Sequence, residues 1–237
     1  MKTGSMTNKN NQVDEKRQKA QSIEESAIEA LSGHLSFIGV NVVSREYHST
    51  GILPSPTSGW GIANMLIFAY RLGSVKVADR NIDLVELEHC GVGEFAGTED
   101  GPSSIPDRGY YWCNFVVLAK IDGLEDRLNA KLRLITKGFF RREVVDFKWE
   151  GNELAQMLND DSELNIMLFR LKDELMRMEI KPDRKHQCVR IKQMEHYRKH
   201  GYYPAAAFPS IEAFEASDRI AWHIRNVAGV SQAHGAR

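Results

Sequence analysis

The sequence lacks the long apolar segments of a membrane protein and the cysteine content of a small secreted one. Its longest apolar runs, such as residues 115–119, fall far short of the roughly 20 residues that a membrane-spanning helix needs. The three cysteines, Cys90, Cys113 and Cys188, are too few and too scattered for a disulfide framework. The first 30 residues contain no apolar segment typical of a secretory signal. We therefore expect a cytoplasmic protein without a membrane partner.

An excess of charge of one sign is also missing. Lysine and arginine number 31, aspartate and glutamate number 32, and the formal net charge is -1. A chain this close to neutral has no overall field that would attract a polyanion, which argues against nucleic acid as a partner. The apolar share of 42% and the charged share of 27% are ordinary for a globular domain, and the length is enough to bury a core.

The motifs of the common enzyme and cofactor classes are absent as well. Gly91-Val92-Gly93 lacks the third glycine and the strand-to-helix context of a dinucleotide fingerprint. His186 and Cys188 share one face of a predicted strand, whereas His89 and Cys90 point to opposite faces, so the two pairs make no recognised metal spacing. A buried free cysteine usually packs as a small hydrophobe. The sequence therefore predicts no metal site and no cofactor.

Runs of β-branched and aromatic residues predict a sheet of about six to eight strands. The predicted strands cover residues 35–43, 62–71, 84–89, 111–121, 130–134 and 141–149, followed by a hairpin over residues 178–191. Residues 111–121 are apolar on both faces, which places this strand in the middle of the sheet. Because the strands follow one another rather than alternate with helices, the sheet should be mainly antiparallel.

Apolar residues at helical spacing predict helices within residues 152–176 and 210–228, which should cover one face of the sheet. Asp160, with Glu163 three residues later, resembles a capping box at the start of one helix. The four tryptophans, Trp60, Trp112, Trp149 and Trp222, are interpreted as anchors of the core or its edge. The predicted fold class is α+β, with helices packed on one face of the sheet and an N-terminal helical appendage.

The expected domain organisation is simple. Residues 1–12 should form a disordered tail, of which Met1 to Met6 has the pattern of a cloning remnant. Residues 13–33 predict a helix with a thin apolar stripe that ends near Gly33, hence the appendage. Residues 34–229 form a single α+β domain, and residues 230–237 a loose C-terminal tail.

No pattern in the chain identifies a biochemical activity. The hypothesis that fits this situation is a non-catalytic binding or scaffold module, which works through a cleft between sheet and helices or through self-association. Two alternatives stay open, one an enzyme and the other an anion-binding module.

The enzyme alternative is a hydrolase that uses acidic residues of the irregular segment 94–109. This segment is rich in glycine and proline, and long loops of this kind are often functional. A pair of carboxylates on it would supply a general acid and a general base. The candidates are Glu94, Glu99, Asp100 and Asp107.

The anion-binding alternative uses the basic segment 181–203, in which tyrosines are interleaved with lysine and arginine. Such a pattern can hold phosphate groups and stack bases. The neutral net charge favours a simpler interpretation, in which the segment is a solvated rim balanced by acidic residues elsewhere. The candidate anion-binding residues are Lys181, Arg184, Lys185, Arg190 and Lys192.

Overall fold

A computed structural model describes residues 25–47, 58–62, 65–94, 109–138, 143–172, 175–195 and 208–229. Within these ranges, nine β-strands form one sheet and five α-helices accompany it, which confirms the predicted α+β class. In chain order the elements are α1 (residues 25–37), β1 (Asn41–Tyr47), β2 (Ser58–Ile62), β3 (Met65–Ala78), β4 (Leu84–Glu94), β5 (Gly109–Leu118), α2 (Glu125–Leu128), β6 (Ala130–Lys137), β7 (Glu143–Gly151), α3 (Glu153–Asp160), α4 (Ser162–Arg170), β8 (Leu175–Asp183), a 3-10 turn (Arg184–His186), β9 (Cys188–Glu195) and α5 (Ile211–Val227).

The strand order of the sheet is β1-β3-β4-β5-β9-β8-β6-β7, and β2 also pairs with β3. Every one of these described pairs is antiparallel, as predicted. The hairpin β8–β9 inserts between β5 and β6, so β5 lies in the interior of the sheet, where its two apolar faces had placed it. The turn of this hairpin lies at residues 184–187, within the hairpin predicted over residues 178–191.

Two adjacent rows of cross-strand neighbours show how the two faces of the sheet differ. Successive residues of a strand point to opposite faces, so neighbouring rows lie on opposite sides. The mainly apolar row, from β1 to β7, is Arg45, Val75, Val85, Phe115, Ile191, Ile180, Ala130 and Gly151. The polar row beside it is Glu46, Ser74, Glu86, Asn114, Lys192, Glu179, Lys131 and Glu150.

The helices pack on the apolar face. Phe214 of α5 is fully buried, and its ring meets that of Phe115 edge to face with centroids 5.8 Å apart. Helices α3 and α4 bury their leucines in the same core, and this arrangement confirms the predicted helical layer. The helix start was predicted one residue too early, because the side chain of Asp161, not Asp160, accepts from Leu164 N at 3.0 Å.

Helix α1 belongs to the core, so the predicted appendage is wrong. Its residues Ala27, Ile28, Leu31 and Leu35 are buried in the main hydrophobic cluster. The helix continues past Gly33 to residue 37, and β1 begins only at Asn41, so the strand predicted from residue 35 is also wrong at its start.

The close packing of α1 against β3 depends on a glycine in the strand. A Cβ atom built on Gly73 would lie 3.0 Å from two side-chain carbons of Ile28 and 2.3 Å from the backbone oxygen of Glu46. Gly73 therefore leaves the room into which Ile28 packs, at a shift in the β3–β4 register. A thin apolar stripe is sufficient to hold α1 in the core because its residues pack closely against the sheet.

Tryptophan positions agree with the predicted core only in part. Trp149 is fully buried among the helix-facing residues, as expected. Trp112 is half-buried on the opposite face of the sheet, and Trp222 is 41% exposed on α5, so Trp222 is not a core anchor. The side chain of Trp60 lies outside the described residues.

Candidate functional site

The face of the sheet that points away from the helices concentrates charged groups at its centre. We call this the charged face and define it by residues of β3, β4, β5 and β9. Strand β4 shows how it arises, since Val85 and Leu87 point to the helices and Glu86 and Glu88 to the other side. The residues of the charged face are Arg71, Glu86, Glu88, Asn114, Arg190 and Lys192.

Four of these polar side chains are removed from water. The exposed fractions are 5% for Glu86, 2% for Glu88, 2% for Asn114 and 6% for Arg190. Glutamate and arginine are almost never buried to this extent unless they are paired with an opposite charge. The partners of these side chains therefore decide how much their burial destabilises the fold and what chemistry the charged face can support.

Arg190 and Glu86 make the central ion pair. Arg190 Nε donates to Glu86 Oε2 at 2.8 Å and Nη2 donates to Oε1 at 3.2 Å, a bidentate arrangement that reaches diagonally across β5. Arg71 Nη1 lies 3.5 Å from Glu86 Oε1. Although burial lowers the pKa of Arg190, the hydrogen bonds and charge of Glu86 raise it above its usual value.

The network continues from Arg190 to the surface. Arg190 Nη1 donates to Asp183 Oδ2, and His186 Nδ1 lies 2.7 Å from the same oxygen. Burial disfavours the charge of Asp183, but the hydrogen bonds from His186 and Arg190 outweigh it and lower the pKa of this carboxyl to about 2. A continuous chain of polar contacts thus joins the exposed His186 to the buried Glu86.

A second diagonal pair, Lys192 and Glu88, lies beside the first. Lys192 Nζ is 4.0 Å from Glu88 Oε2, which is longer than a hydrogen bond. Asn114 on β5 is the direct cross-strand neighbour of both Glu86 and Lys192, so its amide lies between the two ion pairs. The space around Asn114 is therefore bounded by charges of both signs.

Two donors on the charged face have no hydrogen-bond partner among the described residues. They are Asn114 Nδ2 and Arg71 Nε, and both atoms are inaccessible to solvent. A buried donor without a partner costs about 1–3 kcal/mol, and native structures contain few of them. Each such atom is therefore a place where a ligand oxygen or a bound water would complete the structure.

The structure distributes the five predicted anion-binding residues over two places. Arg190 and Lys192 lie on the charged face and are paired as described above. Lys181, the cross-strand neighbour of Arg190, lies on the same side of the sheet, and its Nζ is 3.1 Å from Glu179. Arg184, in the 3-10 turn, lies 3.2 Å from Asp122 and 3.7 Å from Glu125. Lys185 is exposed in the same turn. Most of these positive charges face a carboxylate, and anion binding by the whole segment stays a prediction.

Most of the candidate hydrolase residues lie outside the part of the chain that the structure describes. Glu99, Asp100 and Asp107 lie outside the described residues, and for Glu94, the last residue of β4, only the backbone is described. Their role stays a prediction.

Within the described part of the chain, no cluster of histidine, cysteine, aspartate and glutamate could hold a metal ion. Cys188 is buried, and this burial raises the pKa of its thiol.

Sequence reasoning missed Arg71, Glu86, Glu88 and Asn114 as site residues. A signal was present in the strands themselves. The run 85–88 alternates apolar with acidic residues, and the run 189–192 alternates apolar with basic ones. Complementary charges at positions i and i+2 of two strands indicate pairing across a sheet. The order of the strands, which brings these two runs to either side of β5, could not be derived from the sequence.

A second buried polar cluster joins α4 to α5. Asp161 Oδ2 accepts from Arg219 Nε at 2.6 Å and lies 2.7 Å from His223 Nε2. A histidine paired with an aspartate is a common catalytic arrangement. Here, however, the same carboxylate also accepts from Leu164 N of α4 and from Arg219 of α5, so these contacts hold the two helices together. We assign this cluster to helix packing.

The Asp161 cluster predicts a specific pH dependence of stability. Burial disfavours the charge of Asp161, but the hydrogen bonds from Arg219, Leu164 N and His223 hold its pKa well below the usual value. Asp161→Asn should therefore lower the free energy of unfolding by about 1.5–3 kcal/mol at pH 7, the range for hydrogen bonds to a charged group.

Because the folded-state pKa of Asp161 is depressed, its contribution is present above pH about 4 and is lost as the pH falls further. Urea unfolding at pH 7, 5 and 3 should show that the stability gap between wild type and Asp161→Asn is constant from pH 7 to 5 and smaller at pH 3. Glu153→Gln, which breaks the exposed pair with Arg127, is the control and should leave the free energy of unfolding nearly unchanged. A gap of constant size down to pH 3 would contradict the assignment.

A shallow depression of about 730 Å³ lies where β7 meets the start of α3. Asn159 lines it, accepts from Trp149 N at 2.9 Å and donates to Trp149 O at 2.9 Å. These two bonds take the place of a neighbouring strand at the outer edge of β7. Asn159 therefore protects a sheet edge, and we assign the depression no function.

Comparison with known proteins gives no relative. No protein-family model, no curated protein and no solved structure matches the chain. None of the helices in the described ranges has the length and hydropathy that crossing a membrane requires.

Proposed function

We propose that this protein is a non-catalytic binding module that takes a small polar ligand on the charged face of its sheet. The observation that carries the proposal is the pair of buried donors, Asn114 Nδ2 and Arg71 Nε, which have no partner among the described residues although ion pairs surround them. A buried donor of this kind is costly to the free protein, and a ligand that accepts from it would recover the loss.

The geometry favours binding over acid–base catalysis. A general acid or base has to exchange a proton with its substrate, and for this it must approach the substrate closely. Both carboxylate oxygens of Glu86 already accept from Arg190. Glu88 is opposed by the ammonium group of Lys192. The carboxylates therefore serve to fix the positions of the basic residues.

The position of the site also suits a binding function. Asn114, Glu86 and Arg190 lie on three neighbouring strands in the interior of the sheet, and each strand is held by partners on both sides. Side chains on such strands are positioned more accurately than side chains on loops. The charged face is therefore organised before a ligand arrives, which reduces the entropic cost of binding.

The test is a thermal-shift screen of the full chain against uncharged and acidic metabolites, followed by titration of each compound that raises the melting temperature. Asn114→Leu and Arg71→Met should each weaken binding at least tenfold, because each removes one donor. Arg133→Met is the matched control. Its guanidinium pairs with Glu150 at 2.9 Å on exposed positions of β6 and β7, on the same side of the sheet but at its far edge, so binding should be unchanged.

A stability measurement distinguishes a ligand-binding amide from a structural one. If Asn114 serves a ligand, Asn114→Leu should leave the unliganded protein at least as stable as wild type, with a gain of about 1 kcal/mol from removal of the unsatisfied donor. A loss of stability above about 1 kcal/mol in urea unfolding, together with unchanged binding, would make Asn114 a structural residue and contradict the proposal.

A cytoplasmic setting and self-association belong to the same proposal. Cys188 is a free, buried cysteine, which supports a reducing environment. Sedimentation at increasing protein concentration would test self-association. We expect no binding to mixed nucleic acid at physiological salt, because the net charge of the chain is close to zero.

A further inference from the structure

We infer that the ligand of the charged face is an uncharged molecule with neighbouring hydroxyl groups on a ring, that is, a neutral sugar. This inference rests on the proposed binding function and specifies its ligand class. Three observations support it: the charge balance of the site, the mixture of donors and acceptors, and the position of Trp112.

The charge balance argues against an acidic ligand. Among the described residues, three cations, Arg71, Arg190 and Lys192, face three carboxylates, Glu86, Glu88 and Asp183. Beside them Lys181 pairs with Glu179, so the formal charge of these described groups is zero. A carboxylate or phosphate added here would be a charge without a counterion among groups that are mostly removed from water. Burial of such a charge is strongly unfavourable, whereas burial of a neutral hydroxyl that forms hydrogen bonds is not.

The mixture of hydrogen-bonding groups points to hydroxyls. Asn114 Nδ2 and Arg71 Nε can only donate, so the ligand must present acceptors to them. Glu88 accepts, and its contact with Lys192 at 4.0 Å is too long to be a hydrogen bond. A hydroxyl group accepts and donates at once. A ligand with adjacent hydroxyl groups can therefore accept from Asn114 and donate to Glu88.

Trp112 supplies an apolar surface beside these polar groups. It is the direct cross-strand neighbour of Glu88, and it lies two residues before Asn114 on the same face of β5. Its side chain is half-buried. The C–H face of a sugar ring packs well against an indole, while the hydroxyl groups at the rim of the ring reach the polar side chains. A single amphipathic ring thus contacts Trp112, Asn114 and Glu88 together.

The experiment is titration calorimetry of the full chain with matched neutral and acidic probes. The neutral probes are D-glucose, D-galactose and N-acetyl-D-glucosamine, and the acidic probes are D-glucuronate and glucose 6-phosphate. We expect at least one neutral sugar to bind, and at least tenfold more tightly than the acidic probes. Trp112→Leu should weaken this binding at least tenfold, and Trp112→Phe should retain most of it because a stacking ring is kept.

Trp222→Leu is the matched control, because Trp222 is a partly exposed tryptophan on α5, on the opposite side of the sheet, and its removal should leave sugar binding unchanged.

Acidic probes that bind as tightly as the neutral ones would overturn the inference, and if that binding needs Asn114 the proposed function would stand. A screen that yields only ligands of another class, such as nucleosides, would likewise overturn the sugar assignment alone. A screen without any ligand, and a crystal structure with only water on Asn114 Nδ2 and Arg71 Nε, would overturn both.

Discussion

Deletion of residues 1–32 should leave a chain that does not reach a cooperative folded state. The deletion removes Ala27, Ile28 and Leu31, all of them buried in the main cluster between α1 and the sheet. Truncation of one buried leucine or isoleucine to alanine costs about 2–5 kcal/mol, and the total stability of a domain is about 5–15 kcal/mol. The loss of the first part of α1 is therefore expected to exceed what the rest of the core can compensate.

Near-UV circular dichroism and urea unfolding of the truncated chain test this expectation. Point variants of the full chain separate packing from chain length. Leu31→Ala should lower the free energy of unfolding by about 2–5 kcal/mol. Phe37→Ala, on the same helix but with its side chain 88% exposed, should change it by under about 0.5 kcal/mol. A truncated chain with native near-UV bands and a sharp urea transition would show that α1 is dispensable.

The burial of α1 could not be predicted from the sequence, and the reason is local. A narrow apolar stripe usually belongs to a helix on the surface. The stripe of α1 is sufficient because Gly73 on β3 leaves space for Ile28, and the two residues are 45 positions apart in sequence. Gly33 resembled a helix end, but the helix continues to residue 37, because Leu35 in the following turn is buried in the core. Both errors come from contacts that only the folded chain contains.

Other parts of the fold followed directly from residue patterns. The run 111–121 has apolar side chains on both faces, and β5 is indeed an interior strand. Leucines at spacings of three and four predicted α3 and α4, because that spacing places them on one helix face. Such periodic patterns depend only on neighbours along the chain, and they therefore predict elements better than they predict which elements touch.

The burial and pairing of the charged face, by contrast, could not be predicted from residue patterns. Glutamates in a strand normally indicate a solvent-exposed face, and Glu86 and Glu88 were not recognised as buried for that reason. Their partners, Arg190 and Lys192, follow in the chain only after seven further helices and strands and the 3-10 turn, and the pairing depends on the insertion of β8–β9 beside β5. The sequence thus shows the charged residues of the candidate site, but it does not show which of them meet in the fold.

Arg190→Met should be among the most destabilising single substitutions on the charged face. Methionine retains the length of the side chain, but Glu86 and Asp183 then lose the cation that both contact. Removal of one partner of a buried ion pair costs about 3–5 kcal/mol, because the remaining charge stays buried without compensation. We expect a loss of this size in urea unfolding at pH 7, and Arg133→Met, which breaks an exposed pair, should cost under about 1 kcal/mol.

Acid pH gives a second signature of the same substitution. In wild type the pKa of Asp183 is lowered to about 2, so its contribution to stability is present above pH about 4 and is lost between pH about 4 and about 2. Without Arg190 this pKa should move back towards its usual value, since one of the hydrogen bonds that lower it is gone. The stability gap between wild type and Arg190→Met should therefore narrow over that interval.

A double-mutant cycle shows whether the loss belongs to the pair with Glu86. Glu86→Gln removes the charge at β4 and keeps the shape of the side chain. If the pair accounts for the effect, Glu86→Gln combined with Arg190→Met should be less destabilised than the sum of the two single variants, by about 1–3 kcal/mol, the range for residues in direct contact. Strict additivity would mean that the loss does not come from the pair with Glu86, and a loss for Arg190→Met no larger than for Arg133→Met would mean that the network contributes little to stability. The charged face would then have to be maintained by its ligand alone.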